Sequence, residues 1–71
     1  MTHDSPSLEA LEAEARYARD RVALYRARSY GPRPTNPARL RELERMEQGA
    51  EARLERARRA AAAAHADRPH A

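Results

Sequence analysis

Leu8, Leu11, Ala15, Ala18, Val22 and Tyr25 follow one another at alternating steps of three and four, and the phase runs on to Ser29. Steps of this kind hold one stripe on one face of a helix, the heptad seam of a coiled coil. A second seam starts at Leu40 and continues through Leu43, Glu47, Ala50, Leu54, Ala57, Ala61 and Ala64. Glu47 is the one charged residue in either stripe.

Helix signals bracket both seams. Ser5-Pro6 reads as an N-cap followed by a first helical residue, and Glu9, Glu12 and Glu14 place negative charge where the helix dipole favours it. The segment Tyr30-Gly31-Pro32-Arg33-Pro34-Thr35 interrupts the pattern. Gly31 suits a left-handed C-terminal cap there, and Pro32 blocks further helix. Asn36-Pro37 repeats the N-terminal signal. The expectation is a disordered tail over residues 1–4 and one helical hairpin over 5–66. Within it lie a helix over 6–30, a turn over 31–36 and a helix over 37–65. Residues 67–71 form a second tail.

A loop this short makes consecutive helices antiparallel neighbours. The fold class is therefore all-α, a two-helix antiparallel coiled-coil hairpin. Matching the seams across the turn gives layers whose residue numbers add up to 65: Tyr25 with Leu40, Val22 with Leu43, Ala18 with Glu47, Ala15 with Ala50, Leu11 with Leu54, Leu8 with Ala57. Glu47 sits where pairing with Arg21 or Arg19, or an outward bend, would set the register. Among the flanking residues, Glu14–Arg53 and Arg19–Glu44 attract, while Glu12–Glu51 and Arg28–Arg39 repel.

Composition sharpens this picture. The 71 residues include 17 alanines, six leucines and one valine, with no Ile, Phe, Trp or Cys. Ala, Glu, Leu and Arg supply 45 positions, a helix-forming bias. No disulfide or thiolate metal site can stiffen the chain. Such a seam buries little large apolar surface, so the hairpin is expected to need a partner. The simplest is a second copy forming a homodimeric four-helix bundle; the other is a helical protein. Ala10, Tyr17 and Leu24 recur every seven residues away from the main seam, and Ala38, Gly49 and Ala52 form a small-residue strip on the second helix. Of these, Ala10, Tyr17, Leu24, Gly49 and Ala52 are the candidate protein-interaction residues. Gly49 is notable because glycine inside a helix costs ~1 kcal/mol.

All 14 basic residues are arginine and 11 acids accompany them, leaving a net charge of +3. Uniform arginine usage fits the codons of a GC-rich genome. Arg41, Arg45, Arg56 and Arg59 share the outer flank of the second helix and could meet phosphates, so a small nucleic-acid-binding protein is the alternative function. No aromatic residue stands among them to stack a base, and Glu42 and Glu55 interrupt the stripe. The function expected first is a non-enzymatic protein-interaction or oligomerisation module, regulatory in character. His3, His65 and His70 lack the spacing of a helical metal pair, no base stands within reach of a serine, and two glycines make no phosphate loop. No cofactor, metal or catalytic residue is expected. No apolar run approaches a membrane span, and the segment MTHDSPS lacks a basic-then-apolar signal pattern, so a cytoplasmic location is expected.

Overall fold

The computed structural model describes residues 6–66; the tails expected at 1–4 and 67–71 lie outside the described residues. Both elements of the described residues are α-helices, so the fold is all-α. Helix α1 spans Leu8–Arg28 and helix α2 spans Pro37–Ala66, and the two pack against each other. The radius of gyration is 17.1 Å, against about 11 Å for a compact domain of this length. With extents of 63 × 26 × 16 Å the molecule is a rod. No helix is long and apolar enough to cross a membrane among the described residues.

Helix α1 begins later than the Ser5-Pro6 pattern suggests. Its N-cap is Ser7, whose backbone is extended (φ −70°, ψ 162°) and whose hydroxyl oxygen accepts from the Ala10 amide at 3.1 Å. The Ser7 carbonyl accepts from Leu11 at 3.0 Å. This cap brings Leu8 and Leu11 directly into the first turn, with Pro6 outside the helix.

The other end of α1 also differs. Gly31 has no positive φ. Instead the helix tightens: Tyr30 donates to Ala27 at 3.2 Å and Gly31 to Arg28 at 3.0 Å. These i to i−3 bonds satisfy the last carbonyls without a left-handed residue. The Ser29 hydroxyl adds a bond to the Arg26 carbonyl at 2.6 Å. Pro32 then disfavours helical geometry at Gly31 and stops the chain from turning further. Asn36 caps α2, its side-chain oxygen accepting from the Ala38 amide at 2.9 Å.

A clamp joins the two helices at the turn. The Tyr25 hydroxyl accepts from the Asn36 amide at 2.7 Å and donates to the Asn36 carbonyl at 3.2 Å. The ring lies in the last seam layer of α1, and its oxygen holds the residue that starts α2.

The core is the seam. Leu11, Ala15 and Val22 from α1 and Leu43, Ala50 and Leu54 from α2 are buried, and no polar residue among those described is buried with them. Leu11, Ala15, Ala50 and Leu54 form one cluster with Ala18 and Ala57 packed on it, consistent with layers whose numbers add up to 65. In the middle layers Ala15 meets Ala50 and Ala18 faces Glu47, so little large apolar side chain is buried there. Glu47 is half-buried opposite Ala18 and makes no ion pair among the described residues. Both expected partners are engaged elsewhere. Arg19 pairs with Glu51, and Arg21 lies over the Tyr17 ring. The small Ala18 leaves the Glu47 carboxylate a way out to water, since no side-chain polar atom among the described residues is sealed without a partner.

Candidate protein-interaction surface

Taking Leu8 and Leu40 as heptad position a, the residues beside the seam fall into an e flank and a g flank. They are unlike. On the e flank, Glu12–Arg58 (3.3 Å), Arg19–Glu51 (3.3 Å) and Arg26–Glu44 (2.6 Å) form three rungs. Each rung is one heptad from the next on both helices.

The rungs differ from the pairings that the layers alone suggest. Arg19 takes Glu51 and not Glu44, and Glu12 avoids Glu51 by reaching Arg58. Helical side chains lean toward the N-terminus of their own helix. In an antiparallel pair, a residue of α1 therefore leans toward the open end and one of α2 toward the turn. Arg19 and Glu51 lean together; Arg19 and Glu44 lean apart.

The g flank is closed only near the open end, where Arg53 grips the Glu14 carboxylate through two nitrogens at 2.6 and 3.2 Å. Further along, Arg21 on α1 and Met46 on α2 occupy corresponding g positions, then Arg28 and Arg39. Arg39 turns to Glu42 on its own helix, and Arg28 has no carboxylate within ion-pair distance among the described residues.

Where the rungs are missing, a cleft of about 380 Å³ opens between the helices. Its floor is seam (Ala18, Leu43 and Ala50), and its walls include Tyr17, Arg21, Met46 and Gly49. A smaller cleft of about 180 Å³ follows toward the turn, lined by Arg21, Leu24, Arg28 and Arg39. Tyr17, Leu24 and Met46 stay 64%, 58% and 46% exposed. The Arg21 guanidinium sits 5.5 Å from the Tyr17 ring centroid, within cation–π range.

The candidate residues of the sequence thus divide. Tyr17 and Gly49 meet in the larger cleft and Leu24 borders the next. Ala10 and Ala52 are exposed and line neither. Met46 and Arg21 are the contributors that the seams alone do not single out. Extending the heptad to its flanks finds both, because they are g residues facing each other. Of the arginine stripe, all four members are exposed. Arg59 is tied to Glu55 at 3.3 Å, Arg45 borders the larger cleft, and Arg41 and Arg56 have no carboxylate partner among the described residues. No group of three metal-ligating side chains occurs among the described residues.

No protein-family model, no curated protein and no solved structure matches this chain.

Proposed function

We propose that this chain is a non-enzymatic interaction module that presents the g flank of a helical hairpin to another helix. The observation that carries this reading is the contrast between flanks. One is closed by an unbroken ladder, while the other exposes Tyr17, Leu24 and Met46 over a floor of core alanines and Leu43. Three large apolar side chains exposed along one side of the hairpin, beside clefts that reach the seam, are what a docking helix would bury. An antiparallel hairpin offers a groove into which the ridge of a third helix fits. A second copy docked through the same flank would complete a homodimeric four-helix bundle; a helix of another protein would give a three-helix arrangement.

The test replaces Tyr17 and Leu24 by Ser in the full chain. Because both are exposed, helical content by circular dichroism should be unchanged, while self-association or capture of the native partner is lost. Substituting Arg41 and Arg56 by Glu should leave association intact, since exposed charges contribute only ~0–1 kcal/mol. The competing reading is a phosphate-binding stripe, favoured by the unpaired Arg41 and Arg56. On that reading, the same reversal abolishes binding to duplex or single-stranded nucleic acid, and that binding falls steeply with salt.

A further inference from the structure

The interaction-module reading leaves the occupant of the open flank to be named, and the charges around the clefts narrow it. Arg21, Arg28, Arg39, Arg45 and Arg53 line the two clefts, and Glu14 is the one carboxylate among their lining residues. Arg53 is held by Glu14 and Arg39 by Glu42. Arg21, Arg28 and Arg45 remain without a carboxylate partner among the described residues. Arg21 and Arg45 share the larger cleft with Tyr17 and Met46, and Arg21 and Arg28 share the smaller one with Leu24. The e flank has no such surplus, because each rung matches one arginine with one glutamate.

We propose that the open flank is a receptor for an acidic amphipathic helix of another protein. That helix lays an apolar stripe along Tyr17, Leu24 and Met46 and directs its carboxylates to Arg21, Arg28 and Arg45. Tyr17 and Leu24 are one heptad apart, about 10.5 Å along the axis, the separation between positions i and i+7 on an incoming helix. Gly49 lets that helix come close. A Cβ built there would meet only the Arg53 guanidinium, at an ordinary 3.5 Å, so packing within the hairpin does not demand glycine.

A second copy of the chain fits less well. Its own docking face would bring the same three unmatched arginines, and its one cleft carboxylate, Glu14, is already held by Arg53. Nucleic acid would match the arginines but would leave Leu24 and Met46 against a sugar-phosphate surface, with no gain from their burial.

The experiment uses the full chain and a short, dye-labelled helical peptide that carries a leucine stripe flanked by glutamates. Three controls accompany it: a scrambled peptide of the same composition, a version with lysine for glutamate, and duplex DNA. Saturable binding of the acidic peptide alone, weakening as salt rises, is the expected result. Leu24→Ser with Met46→Ser should weaken it about tenfold or more, as should Arg21→Glu with Arg45→Glu. Arg19→Gln on the closed flank should leave it unchanged. Circular dichroism shows that each variant keeps its helices, and the two cleft pairs test the site independently should one of them unfold. Equal binding of the scrambled or lysine peptide overturns the proposal, and so does absence of peptide binding. DNA binding that depends on Arg21 and Arg45 overturns it as well. A dimer by light scattering that Leu24→Ser with Met46→Ser dissolves rejects the acidic helix yet leaves the module reading standing. A chain that stays monomeric, binds no peptide and captures no native partner through Tyr17 and Leu24 rejects both.

Discussion

Along the e flank, Glu12, Arg19 and Arg26 of α1 each meet the opposite charge of α2 across the seam, and the three rungs follow one another without a gap. The g flank is made from the same kinds of residue but loses its match after Glu14–Arg53. Methionine then faces arginine, and arginine faces arginine. The difference lies in partner choice at a few flanking positions, since the seam beneath is shared. Surface ion pairs contribute little energy each, so the ladder's main effect is coverage. Long arginine and glutamate stems can cover an apolar edge, and on the g side Leu43 and Ala50 form a cleft floor.

The largest effect should come from the shared seam. Leu54 is buried at 7% exposure, and Leu54→Ala should cost ~2–5 kcal/mol. Chemical denaturation should show both flanks lost together; a loss well below that range would mean the seam is not the core.

Next is the clamp that fixes how the flanks meet. Tyr25→Phe removes two hydrogen bonds to Asn36, each worth ~0.5–1.5 kcal/mol. Its melting temperature should fall, with amide exchange rising first at Asn36 and Ala38.

On the open flank, Gly49→Ala should raise stability by up to ~1 kcal/mol, the helix-propensity gain. The same substitution should weaken acidic-peptide binding. A change that stabilises the free chain and penalises the complex separates a docking role from a structural one. If both properties improve, close approach at Gly49 is wrong.

The smallest effect belongs to the closed flank. Arg19→Glu should cost about 1 kcal/mol or less, and adding Glu51→Arg should restore it. The difference should vanish in molar salt, where the screening length is ~3 Å. A cost that survives high salt would point to lost packing of the arginine stem.

The hairpin was legible because its signals agree: two seams in phase and a turn rich in proline. Burial of Leu11, Ala15, Val22, Leu43, Ala50 and Leu54 follows from that periodicity. Local choices between near-equivalents were less legible. Ser5 and Ser7 flank the same proline, and pattern alone does not rank them as caps. Gly31 permits a left-handed turn without requiring one, and the i to i−3 bonds made it unnecessary. Arg19 has two glutamates a heptad apart on α2, and the direction in which helical side chains lean selects between them. Tyr17, Leu24 and Gly49 stood out as apolar or small residues off the seam. Met46 did not, because its meaning depends on Arg21 across the groove. The arginine surplus around the clefts becomes visible only once each ion pair is assigned.

The Tyr25–Asn36 clamp also bears on the order in which the hairpin assembles. Its two residues are 11 apart in the chain, whereas Glu12 and Arg58 are 46 apart. Each doubling of a closed loop costs about 0.6 kcal/mol in chain entropy, so contacts at the turn form at a lower entropic cost than those at the open end. The hairpin should zip from Tyr25 outward, with the layers around Leu11 and Leu54 joining last. Changes at the turn would then slow folding, while equally destabilising changes at the far end would act by speeding unfolding.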